Sequence, residues 1–164
     1  MEFYAYIDTI KKRFEKNFDL ISDYTIHNYE FDLLAKYHFR GEGYFLTKKT
    51  VIYALENNEY CLIKAFETLD ENSLNRYIDI LIKGIDVLVN PTKEHMSSII
   101  TGVIVLKNKP NTHIINAIKK FKYHKGFLFG LKGWVDIRLI LVAIDDDYIV
   151  TNKKGKEVKE VYSL

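Results

Sequence analysis

The sequence predicts an α/β (α+β) fold on a single mixed β-sheet, in the order αβββαβαβ(β): an N-terminal helix, an antiparallel meander, then β-α crossovers. Three observations carry this. Apolar residues recur every three or four positions from Phe3 to Phe18, the period falls to two after Tyr24, and from Thr68 onward helical periods alternate with β-branched runs. A meander flowing into crossover helices requires both antiparallel and parallel pairs, with helices covering at least one face of the sheet.

Phe3, Ile7, Ile10, Phe14 and Phe18 form one apolar stripe, with Lys11, Lys12, Glu15 and Lys16 on the other face of the first helix. Phe31, Leu33, Ala35, Tyr37 and Phe39 then alternate with Asp32, Leu34, Lys36, His38 and Arg40, as a half-buried strand does. Gly41 and Gly43 permit a turn after it. Two further strands are expected over Thr50 to Leu55 and Tyr60 to Phe66, with Glu56-Asn57-Asn58-Glu59 as the hairpin tip, because Asn tolerates positive φ.

Thr68 to Glu71 fits a capping box ahead of a helix carrying Leu74, Tyr77, Ile78, Leu81, Ile82, Ile85, Leu88 and Val89, which ends near Asn90-Pro91. After a polar loop, Ile99 to Leu106 is apolar on both faces and therefore central. Asn111 caps a short helix with Ile114, Ile115, Ile118 and Phe121. A second buried strand, Leu139 to Ile144, ends at Asp145-Asp146-Asp147, a turn into a short strand over Tyr148 to Thr151.

A chain of 164 residues with 48% hydrophobic and 28% charged content is expected to form one domain, residues 1–164, with 152–164 a charged, frayed tail. A net charge of +2 points to no polyanion by itself, so only local clustering can. The single cysteine, Cys61, excludes an internal disulfide and suits a reducing compartment. Charged residues interrupt every apolar run near the N-terminus, and the longest run, Leu139 to Ile144, is too short to span a bilayer. The expectation is a cytoplasmic protein with no membrane partner.

The clearest local cluster runs from Lys119 to Ile144. Lys119, Lys120, Lys122, Lys125, Lys132 and Arg138 interleave with Phe121, Tyr123, Phe127, Phe129 and Trp134, and Asp136 is the only acid. Lysine and arginine hold phosphate, and aromatic rings stack on bases. The alternative is a solvated basic helix face running into a loop whose Phe127, Phe129 and Trp134 belong to the core. Gly126, Gly130 and Gly133 match neither phosphate-binding glycine motif. Asp136 and Arg138 share one side of their strand, as a structural ion pair or as a pocket floor. His27, His38, His95, His113 and His124 have no metal-ligand spacing, and Cys61 reads as a buried small hydrophobe.

With FDLLAKYHF, YFLTKKTVIYALENNEYCLI, EHMSSIITGVIV, FLFGLKGWVDIRL and TNKKGKEV in view, nearly the whole chain resembles a family of small uncharacterised prokaryotic proteins. That resemblance implies no activity. The element order also resembles the PD-(D/E)XK nuclease-like fold, in which an acid on one strand and an (E/Q)-x-K triplet on the next hold a divalent metal. The resemblance points to Asp32 and Lys64. In Leu62-Ile63-Lys64, however, leucine stands where the carboxylate belongs, and Glu59 and Glu67 lie on the other face.

The leading expectation is a non-catalytic domain, without cofactor or metal, that binds an anionic partner such as nucleic acid through Lys122, Lys125, Lys132 and Arg138. One alternative is a divergent metal-dependent phosphodiesterase that holds a divalent metal with Asp32, Lys64 and a carboxylate supplied from elsewhere. The other is an assembly module forming a homodimer through a tyrosine-rich surface.

Overall fold

The computed structural model describes residues 1–44, 51–91 and 95–164. Its elements are α1 (Phe3–Phe14), β1 (Asp19–Ile26), β2 (Tyr29–Tyr44), β3 (Val51–Ala65), α2 (Glu71–Leu88), β4 (His95–Leu106), α3 (Thr112–Lys120), β5 (His124–Gly126), β6 (Trp134–Ala143), β7 (Tyr148–Thr151) and a 3-10 helix (Lys154–Tyr162). The described strands form one seven-stranded sheet, ordered β1-β2-β3-β4-β6-β5, with β7 also on β6. β1, β2 and β3 pair antiparallel, β3–β4 and β4–β6 pair parallel, and β5 and β7 each run antiparallel to β6. The sheet is therefore mixed. Its parallel pairs are made possible by the crossovers containing α2 and α3.

Each face of the sheet buries its own core. Leu62, Ile100, Ile104, Leu139 and Leu141 meet Leu74, Tyr77 and Leu81 of α2 and Ile114 and Ile118 of α3. On the opposite face Ile63, Val103, Val105, Ile140 and Val142 meet Tyr6, Ile10 and Phe14 of α1 and Tyr162. Full burial of such side chains contributes about 1.5–3 kcal/mol each. The stripe predicted for α1 thus has its partner, and Phe18 stacks on Phe14 at a centroid distance of 4.4 Å.

Gly102 of β4 sits under α2, where an added Cβ would lie 2.4 Å from Leu81 Cδ1 and 3.0 Å from Tyr77 Oη. Both neighbours are fully buried, and Tyr77 Oη donates to Leu62 O at 2.8 Å, so neither has room to retreat. Gly102→Ala should cost about 1–3 kcal/mol through overpacking. Urea unfolding checks this, and an unchanged midpoint would contradict it.

Several local expectations need correction. β1, over Asp19–Ile26, has no counterpart in the sequence reading. It is joined to β2 by His27 and Asn28, whose φ angles of 47° and 62° fit a two-residue hairpin. Gly41 and Gly43 lie inside β2, opposite Leu55 and Tyr53. Asn57 and Asn58 are no hairpin tip either. They lie inside the single strand β3, between β2 and β4. Their side chains are satisfied laterally, Asn58 by His38 and Asn57 by Ser97, which offsets the low strand propensity of asparagine. The cap of α2 is Asp70, whose side chain accepts from Ser73 N at 2.7 Å, in place of Thr68.

Other readings hold. Asn111 caps α3, accepting from Ile114 N at 3.0 Å. The aspartate run is a turn, with Asp145 on the N-terminal ammonium at 3.0 Å and Asp146 accepting from Lys109 N at 2.6 Å. Strand β4 lies between β3 and β6, although it begins at His95, ahead of the expected Ile99. Part of the preceding loop, residues 92–94, lies outside the described residues.

Residues 152–164 are docked, contrary to the expected fraying. Tyr162 is buried, Tyr6 Oη donates to its carbonyl at 2.7 Å, and Arg13 Nη1 donates to Val161 O and Ser163 O at 2.8 and 2.6 Å. Among the described residues no helix is long and apolar enough to cross a membrane.

Candidate anion-binding edge

The outer edge of β6 is shared by two short strands. β5 pairs its beginning, with His124 opposite Asp136, and β7 pairs its end, with Thr151 opposite Ile140. Between them the Asn152 side chain does the work of a peptide group. Its Oδ1 accepts from Leu139 N at 3.0 Å and from Gly155 N at 2.9 Å, and its Nδ2 donates to Ile137 O at 3.1 Å. Gly155 is pressed so close that a Cβ would lie 3.0 Å from Asn152 Oδ1 and 3.2 Å from Leu139 O. The chain leaves β7 in a fixed direction and enters the 3-10 helix.

A 3-10 helix has three residues per turn, so positions three apart eclipse one another. Starting from its N-cap, Lys153, Lys156 and Lys159 stack on one face. Lys154, Glu157 and Glu160 form the second, and Gly155, Val158 and Val161 the third. Val158 packs against the α1 side of the core. On the second face Glu157 accepts from Lys154 Nζ and Arg138 Nη2, both at 2.9 Å. The Lys154 hydrogen bond first, then that of Arg138, holds its carboxyl below the usual carboxylate range. Charge is thus neutralised there and left free on the first face.

That free face borders a groove of about 820 Å³ lined by Lys119, Tyr148, Ile149, Val150, Thr151, Lys153, Lys156 and Lys159, with no acid among them. A second cleft of about 290 Å³ shares Lys153 and is lined also by Lys122, His124, Asp136, Lys154 and Glu157. Within it His124 Nδ1 and Asp136 Oδ1 are 2.7 Å apart, which fixes the ring and leaves its other nitrogen available. Among the described residues, no carboxylate makes an ion pair with Lys119, Lys122, Lys153, Lys156 or Lys159. Such an edge can hold several negative charges in a row.

The cations singled out in the sequence separate here. Lys122 lines the cleft. Lys125 is exposed on β5, its Nζ 5.4 Å from the centre of the Phe127 ring. Lys132 lies in the turn before β6, its amide donating to Phe127 O at 3.1 Å. Arg138 is only 6% exposed, with Nη2 2.9 Å from Glu157 and Nη1 3.6 Å from Glu59. Asp136 and Arg138 share a face without pairing, since each carboxylate and guanidinium has found another partner. Lys153, Lys156, Lys159 and Asn152 were missed, although the period of three in KKGKEVKEV was there to read.

Asp32 and Lys64 come together across β2 and β3, next to the Leu33–Ile63 pair. Both are engaged: Asp32 Oδ2 accepts from Ala65 N at 2.7 Å, and Lys64 Nζ donates to Glu30 O at 2.7 Å, 5.0 Å from the centre of the Tyr29 ring. Leu62 is fully buried, and no group of three potential metal ligands occurs among the described residues. Cys61 is buried against Tyr162 Oη at 3.3 Å, and burial pushes its thiol up to about 12, so it stays neutral and unreactive near pH 7. Tyr6, Tyr29, Tyr77 and Tyr162 belong to the cores, while Tyr4 is exposed.

A family model, described as Domain of unknown function (DUF8052), matches residues 2–164. The chain belongs to this family. No curated protein and no solved structure matches it. The expected likeness to the nuclease-like fold is not among the matches of this DUF8052 chain.

Proposed function

We propose that this protein binds a polyanion, nucleic acid in the first place, along the β6 edge, without catalysis. The observation that carries the reading is the groove whose only charged lining residues are Lys119, Lys153, Lys156 and Lys159. Stacking like charges three residues apart, about 6 Å at the 3-10 rise of about 2.0 Å per residue, works against folding unless a counter-charge is supplied. That repeat is of the order of the spacing between successive phosphates in an extended strand. Lysines that displace condensed counterions supply affinity without sequence preference.

The test is fluorescence anisotropy of a labelled oligonucleotide over a salt series. With the four groove lysines engaged, log K against log salt should fall with a slope of about −3 for a single strand. No binding at low ionic strength, or binding indifferent to salt, overturns the reading. The alternative, a divergent phosphodiesterase, draws support from the adjacency of Asp32 and Lys64. Shortening of the oligonucleotide that requires magnesium or manganese would favour it instead.

A further inference from the structure

The turn that joins β5 to β6, residues 127–133, is built to present apolar side chains to solvent. Leu128, Phe129 and Leu131 are 58%, 103% and 71% exposed. Phe129 is therefore outside the core, contrary to the solvated-face alternative, whereas Phe127 packs against the α2 and α3 side.

This presentation is enforced by the backbone. Leu128 and Phe129 both adopt left-handed conformations, with φ of 47° and 55°, a costly choice for two consecutive non-glycine residues. The conformation is held by Phe127 N to Gly133 O at 2.9 Å, Gly130 N to Phe127 O at 3.0 Å, Leu131 N to Leu128 O at 3.0 Å and Lys132 N to Phe127 O at 3.1 Å. A hydrogen-bonded knob that holds a phenylalanine fully in water leaves that ring ready for a ligand.

Charge and place narrow the ligand. From Lys119 to Val135 there is no acid, and Lys125 and Lys132 flank the exposed residues. The knob also continues the lysine-lined edge. His124 lines the cleft, and Phe127 follows three residues later, about 10 Å along a strand. A polyanion lying in the groove and cleft reaches the knob if it is a few units longer than the groove.

We propose that Phe129 is a stacking platform for an unpaired base, which makes the ligand a single-stranded nucleic acid. An aromatic ring accepts any base by its π-face, and a duplex keeps its bases stacked inside. Leu128 and Leu131 extend the apolar surface on either side of the ring. This inference rests on the polyanion reading of the groove and adds the base as the second recognised element.

The experiment compares wild type with Phe129→Ala and Phe129→Trp for binding a labelled single strand, a duplex of the same sequence, and linear polyphosphate as an unlabelled competitor. Since Phe129 is wholly exposed, neither variant removes a buried contact. Phe129→Ala should weaken the single strand about tenfold or more and leave polyphosphate competition and the salt slope unchanged, while Phe129→Trp retains affinity. Equal affinity for strand and duplex, with Phe129→Ala indistinguishable from wild type, overturns the stacking platform and leaves the groove reading standing. Failure of every polyanion to bind overturns both. Loss confined to binding of phosphatidylserine vesicles, or to self-association in sedimentation, also overturns it by giving the knob a membrane or a second copy as its occupant.

Discussion

Asn152→Ala should unfold at markedly lower urea, with a loss of about 3 kcal/mol or more. Asn152 is 1% exposed, and its amide pairs with Leu139 N, Gly155 N and Ile137 O. Alanine removes all three partners at once. Each buried backbone group left unpaired costs about 1–3 kcal/mol, and Ile137 and Leu139 are fully buried. Amide exchange at Leu139 should also accelerate, because its N–H would have no other bond. A loss below about 1 kcal/mol, with Leu139 still protected, would mean that the helix start shifts to fill the gap.

The same substitution bears on binding, because Asn152 sets where the 3-10 helix begins. Freed from it, Lys153, Lys156 and Lys159 would no longer be held in one stack beside Lys119. Stability and affinity should therefore fall together in this variant. The lysine substitutions below are expected to separate them.

How far all this could be read from the chain depends on whether the decisive interaction is local. The Asn111 cap, the α1 stripe and the aspartate turn are set by residues within a few positions of one another, and all were legible. Strand β3 was not, because Asn57 and Asn58 carry a turn signal locally. Pairing to β2 on one side and β4 on the other overrides that signal, and nothing near position 57 announces it. His27-Asn28 was legible in principle, since both residues tolerate positive φ. The strand ahead of it, β1, gives little signal of its own, being mostly exposed along its length.

The candidate site divides along the same line. Lys122 and the approach to β6 stood out as a run of cations. The tail lysines did not, because their period of three belongs to a helix type that seldom runs for nine residues. The partners of Arg138 are illegible for a related reason. Its partners, Glu59 and Glu157, are 79 and 19 positions away, and only the fold brings them to it.

Reversing Lys153, Lys156 and Lys159 together to glutamate should cut affinity for a single-stranded oligonucleotide by a factor of about 100 or more at low salt. The salt slope should become shallower by about 2, since three fewer phosphates are neutralised. Stability should hardly change, because all three side chains are exposed and none is in an ion pair among the described residues, and surface changes of this kind usually stay within about 0.5 kcal/mol. A control that reverses Lys12 of α1 and Lys16 in the turn after it, both exposed, tests whether the effect is local. Net charge moves in the same direction there, at side chains that line neither the groove nor the cleft, so long-range repulsion alone should lower affinity far less. Equal losses from the two variants would reduce the groove to a contributor to overall charge. Unequal losses, with the 3-10 variant the weaker binder, would place the phosphates on the lysine stack that Asn152 holds in register.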